Sequence, residues 1–107
     1  MIYIKPLSVN QAWKGRRYRS EKYLNYINSV LVQLPKLDIP TGNLRIDITF
    51  AFSNKGADID NPLKPFLDIL QKYYNFNDSR IYELNVKKII VPKGKEFIDF
   101  NIKVLYL

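Results

Sequence analysis

Nine consecutive residues, Leu44 to Phe52, place Leu44, Ile46, Ile48, Phe50 and Phe52 on alternate positions, with Arg45, Asp47 and Thr49 between them. Successive side chains of a strand point to opposite faces, so the segment reads as a half-buried strand whose apolar face must be covered. A chain of 107 residues has room for one core and not for two ordinary domains. The remaining elements therefore have to cover that face within a single domain, residues 1–107.

The flanking pattern supplies candidates. Ile2-Tyr3-Ile4 reads as a short strand stopped by Pro6, because proline cannot donate to a ladder. Ser8 to Arg19 carries no helical or strand period and reads as a basic loop. Ser20 is a candidate N-cap for a helix whose apolar face comprises Tyr23, Leu24, Ile27, Val30, Leu31 and Leu34, with Pro35 as its end. Asn61-Pro62 predicts an N-cap followed by proline at the first helical position. The helix it opens has Leu63, Phe66, Leu67, Leu70 and Tyr74 as its apolar stripe and ends near Asn75. Ile81 to Val91 reads as a strand with imperfect alternation, and Pro92-Lys93-Gly94-Lys95 as a hairpin loop. Phe97 to Tyr106 reads as a last strand with Ile98, Phe100, Ile102, Val104 and Tyr106 on one face. The predicted order is β-α-β-α-β-β, an α+β fold with a mixed or mostly antiparallel sheet and two helices on one side. Strand order is not legible from the pattern.

Seventeen Lys and Arg against ten Asp and Glu give a net charge of +7, which favours a polyanionic partner, either nucleic acid or an anionic membrane surface. The apolar runs fall far short of the ~18 residues that cross a bilayer, and the N-terminal MIYIKP lacks the apolar core of a signal peptide. The expectation is a cytoplasmic protein without membrane insertion. The chain has no cysteine and no histidine, which excludes thiolate chemistry, sulfur-bound zinc and imidazole catalysis. Any catalyst must then use carboxylates, amines, hydroxyls or a hard, oxygen-bound metal such as Mg²⁺.

Asp58 and Asp60 lie two apart between a strand and a helix, and an extended backbone would present both carboxylates on one side, as a divalent cation requires. Alone the pair also fits a structural role beside a helix N-terminus. Its company sharpens the reading. Lys64 lies about one turn beyond Asp60, and Asp78 follows the same helix. If the next strand pairs beside Leu44 to Phe52, three carboxylates and an ammonium would converge, the set that metal-assisted phosphodiester hydrolysis needs. Lys64 and Asp68 also fit a solvated i,i+4 pair, and for Asp68 that or a supporting role is preferred.

The stretch Asp58-Ile-Asp-Asn-Pro-Leu-Lys64, with Asp68 and then Asn77-Asp78-Ser-Arg-Ile81, resembles the signature of RusA-type Holliday junction resolvases. There, an Asp-x-Asp-Asn-x-x-Lys opens a helix and an Asp-Asp-x-x-Ile/Val follows it. Asn77 departs from that pattern but keeps an oxygen donor. Pro6-Leu-Ser8-Val-Asn10 is similar to the family's Pro-x-Ser-x-Asn segment. The resemblance implies that Asp58, Asp60 and Asp78 hold Mg²⁺, with Mn²⁺ as a substitute, and that Lys64 is catalytic. It also implies a homodimer that binds four-way DNA junctions and nicks opposing strands in pairs during recombination and repair.

The basic loop suits DNA contact through Asn10, Lys14, Arg16, Arg17 and Arg19, with Trp13 and Tyr18 available to stack or wedge. The alternative for these residues is a solvated loop whose aromatic rings join the core or a dimer interface. Three other readings stay open at this point: a non-catalytic nucleic-acid-binding domain, a nuclease acting on other branched DNA or on RNA, and a purely structural interaction protein. The first two share the basic surface; the last predicts no salt-dependent affinity for nucleic acid.

Overall fold

The alternating segment Leu44–Phe52 takes the centre of the sheet, where a strand on each side pairs its backbone groups and the helices cover its apolar face. The structure, a computed structural model, describes residues 1–7, 13, 14 and 18–105, with the backbone alone at 13, 14, 18 and 19. In chain order the elements are β1 (Trp13–Lys14), β2 (Tyr18–Arg19), α1 (Glu21–Leu31), β3 (Leu44–Phe52), α2 (Leu63–Tyr74), β4 (Ile81–Ile90) and β5 (Phe97–Val104). A single 3-10 turn, Asp78–Arg80, precedes β4. The fold is α+β, with a mixed three-stranded sheet in the order β4-β3-β5 and a separate two-stranded hairpin, β1-β2.

Strand β3 pairs in parallel with β4, from Leu44 opposite Ile81 to Phe52 opposite Ile90. It pairs antiparallel with β5, Ile48 standing opposite Phe100. A parallel pair needs a crossover, and α2 provides it. The predicted terminal hairpin is therefore corrected: β4 and β5 flank β3, roughly 10 Å apart at two strand spacings, and the segment around Gly94 crosses the end of β3 rather than joining paired neighbours. The predicted first strand is reduced to one bridge, Ile2 with Ile98, held by two backbone hydrogen bonds of 2.8 Å. Conversely, paired strands occur inside the predicted irregular loop, where Trp13 stands opposite Arg19 and Lys14 opposite Tyr18. Strands of two residues are too short for alternation to announce them.

The core lies between the sheet and the two helices. Leu44, Ile46, Ile48 and Phe50 are buried on β3, with Tyr23, Tyr26 and Val30 from α1 and Phe66, Ile69 and Leu70 from α2. Edge-to-face ring contacts join Phe66 to Phe50 (centroids 6.0 Å) and to Phe100 (5.6 Å), a geometry that places ring edges against ring faces. The N-cap of α1 is Ser20, whose side chain accepts from Tyr23 N at 3.1 Å. The buried face of α1 is turned from the predicted one: Tyr26 is inside, while Leu24 is 48% exposed. Asn75 closes α2 with φ 55°, a left-handed conformation that asparagine tolerates better than most residues. Among the described residues no helix is long and apolar enough to cross a membrane.

Candidate active site

The connection between β3 and α2 is built from short local bonds. Asn54 Oδ1 accepts from Gly56 N at 2.9 Å, and Asn54 O accepts from Ala57 N at 3.2 Å, which turns the chain sharply as it leaves the sheet. The backbone then bends at Ile59 and Asp60 instead of running extended, and both Asp58 and Asp60 are exposed. Asn61 has a different role from the predicted one. Helix α2 begins at Leu63 with Pro62 in the cap position and no side-chain cap bond; the Asn61 amide instead donates to Asp58 Oδ2 at 3.1 Å. Lys64 Nζ stands 3.6 Å from Asp68 Oδ1 one turn along the helix. That solvated i,i+4 pair is worth only about 0.2–0.5 kcal/mol, so little holds Lys64 to Asp68.

Beside Asp58 lies a cleft of about 240 Å³ between Pro6, Phe52, Ser53 and Asn61, with Lys5 on its wall. At the same end of the sheet, Ser53 Oγ donates to Glu96 at 2.7 Å and Gly94 N donates to it at 2.9 Å. Those bonds, the Ser53 hydroxyl foremost, hold the Glu96 carboxyl below its usual range. Lys88 of β4 reaches this connection too: its Nζ donates to Lys55 O at 2.9 Å and to Ala57 O. Sequence reasoning overlooked Lys5, Glu96 and Lys88. For Lys88 a signal was present, since it shares the parity of Leu84, Val86 and Ile90 and so puts an ammonium on the apolar face of its strand.

Asp78 lies elsewhere. Its backbone N–H donates to Gln71 Oε1 at 3.0 Å, and Asn77 Oδ1 accepts from Ser79 N at 2.8 Å. Arg80 anchors this turn to the start of β3, donating to Gly42 O at 3.1 Å and to Pro40 O. Because β4 runs parallel to β3, Asp78 sits where β3 begins, whereas Asp58 and Asp60 follow its end. Eight strand rises separate those ends, roughly 26 Å. One chain thus keeps Asp58 and Asp60 on one connection and Asp78 at the other end of the sheet, and the expected convergence of three carboxylates is not met within it. Among the described residues no group of three or more Asp or Glu side chains could hold a metal ion. The strand after α2 does pair beside β3, but the helical crossover carries the chain back to the start of β3 before that strand begins.

A larger depression of about 560 Å³ lies on the open face of the sheet, and Asp58 does not line it. There Asp47 Oδ1 accepts from Asn85 Nδ2 at 2.9 Å and from Arg45 Nε at 3.2 Å, and the Asn85 bond foremost keeps its carboxyl below the usual range. The acidic motif makes no part of its lining. Of the predicted DNA contacts, Asn10, Arg16 and Arg17 lie outside the described residues; Lys14 and Arg19 are described as backbone only, within β1 and β2.

No curated protein matches the chain. The family model of endodeoxyribonuclease RusA matches residues 7–99, a span that takes in both short basic strands, both carboxylate segments, β3, β4 and the start of β5. With that match over most of its length, and with the acidic pair exposed where β3 hands over to α2, the chain belongs to the RusA endodeoxyribonuclease family of Holliday junction resolvases.

Proposed function

We propose that this enzyme resolves four-way DNA junctions as a homodimer, by paired, symmetric, Mg²⁺-dependent nicks, with Mn²⁺ able to substitute. The observation that carries the reading is the pair Asp58 and Asp60, both exposed on one bent connection, with Asn61 bracing Asp58. Such donors suit the ion: Mg²⁺ takes oxygen ligands, uses one or two carboxylates and keeps several waters. When bound, it supplies activation of water and charge stabilisation at the scissile phosphate. Asp58 and Asp60 hold it, and the Asn61 amide fixes the Asp58 carboxylate. Lys64, loosely held by Asp68, is free to turn to the phosphate. Asn10, Lys14, Arg16, Arg17 and Arg19 neutralise the DNA backbone, which makes binding steeply salt-dependent.

Two arguments support the homodimer. A four-way junction has approximate two-fold symmetry, so two related cuts need two related sites. Asp78, a sheet length from Asp58 within one chain, can join a cation site only if a partner supplies it; in the dimer the partner's Asp78 completes the site. A DNA substrate is in keeping with the expected cytoplasmic location. The test is a labelled synthetic junction offered beside duplex, flap and RNA substrates, with and without Mg²⁺. Wild type should make paired nicks on the junction alone, and Asp60→Asn should bind it without cutting. Binding without cleavage by wild type under varied metals and sequences would overturn the reading in favour of a binding module.

A further inference from the structure

Resting on the reading of Asp58 and Asp60 as the cation-holding pair, we infer that Lys88 is a positioning residue that sets the shape of the loop presenting them. Lys88 stands opposite Phe50 in the sheet, on the face of β4 that turns towards the helices. An ammonium there is costly unless it finds acceptors. The four-carbon stem can lie along apolar surface while its head reaches the sheet's end. The head finds two acceptors in the same loop, Lys55 O at 2.9 Å and Ala57 O.

The second contact matters most. The Ala57 carbonyl and the Asp58 N–H share one rigid peptide plane, so holding Ala57 O fixes the orientation from which the Asp58 backbone departs. Asn61 holds the other end of the same residue through Oδ2. Asp58 is thereby constrained at its peptide by Lys88 and at its carboxylate by Asn61, while its side chain stays exposed. A loop ordered in advance does not have to be ordered by the ion, which is then spared the entropic cost of fixing that backbone. Lys88 therefore acts on cation affinity through the backbone, without itself being a ligand. Its neighbour Lys87 stands opposite Thr49 on the other face and has no such reach.

The experiment uses the full chain as wild type, Lys88→Met, Lys88→Arg and the control Lys87→Met. Three readings are taken: amide hydrogen exchange across residues 54–60 without metal, Mn²⁺ affinity by electron paramagnetic resonance, and junction affinity in EDTA. Lys88→Met should speed exchange in the loop and weaken Mn²⁺ binding, each by about tenfold, the size expected for loss of charge-assisted hydrogen bonds. Junction affinity should stay within about twofold, since no phosphate contact is lost. Lys88→Arg should recover both losses, and Lys87→Met should match wild type in all three. Should Lys88→Met fail to fold, Lys88→Gln, whose uncharged head ends one bond short of the ammonium and cannot span to both carbonyls, replaces it. Wild-type exchange and Mn²⁺ affinity in the Met or Gln variant would overturn the inference. So would a fall in junction affinity with unchanged exchange, which would make Lys88 a phosphate contact. If wild type cuts no junction, the proposed function fails, yet exchange and Mn²⁺ binding still decide the role of Lys88.

Discussion

Tyr26 shows how single residues escape a periodic reading. It is 4% exposed in the core, and its hydroxyl has no hydrogen-bond partner among the described residues. Burial, with a smaller contribution from Tyr23, pushes its ionisation well above the ordinary tyrosine range, so the group stays a neutral hydroxyl. A buried polar group without a partner costs about 1–3 kcal/mol. Tyr26→Phe removes it while keeping the ring, and should raise stability to urea by about 1 kcal/mol; a lower midpoint would show that the hydroxyl has a partner after all. The helical pattern named Tyr23 and Val30 but passed over Tyr26 in favour of Leu24, because a tyrosine's amphipathic side chain fits either face until a neighbouring element chooses. Lys88 and Asn61 were legible as residue types only. What each touches depends on a loop bend and a strand register that no local spacing encodes.

At the scale of elements, local chemistry was informative where it acts within a few residues. Ser20 caps α1 and Asn75 closes α2, as turn and cap preferences predict. Helix α2 does more than cover the sheet: its first turn follows the acidic pair, and its last turn holds Asp78 N through Gln71. Its seat depends on Phe66, fully buried between Phe50 and Phe100. Phe66→Ala should therefore cost about 3–5 kcal/mol, measured by urea unfolding, from lost burial plus the cavity left behind. A loss below about 1 kcal/mol would mean that the helix can collapse onto the sheet without that ring. The terminal strands show the limit of element-level reading. β4 and β5 were each recognisable, but a short Gly-containing connection between two strands suits a hairpin as well as a crossing over a third strand.

For the whole molecule, the decisive fact is direction. Because β4 runs parallel to β3, the chain keeps Asp58 and Asp60 at one end of the sheet and Asp78 at the other. A dimer whose sites are shared makes a sharp prediction. Asp60→Asn and Asp78→Asn proteins, each inactive alone, should regain nicking when mixed and allowed to exchange subunits. Random pairing makes half of the dimers mixed, each with one complete site, so the recovered site number is about one quarter of wild type. The cuts should then be single rather than paired. A mixture as inactive as its components would show that the partner's Asp78 does not complete the site. The sequence by itself limited the chemistry: without cysteine or histidine, and with Asp58 and Asp60 before a helix that carries Lys64 in its first turn, it admits carboxylate and hard-metal chemistry on a basic protein. It also determined that Leu44–Phe52 must be covered on one face. The tertiary structure alone decided which strand lies beside which, which end of the sheet each carboxylate occupies, and that Lys88 meets the acidic loop. Side-chain periodicity reports which face is buried and carries no information about a strand's direction or neighbours, and those two choices set every long-range distance in the site.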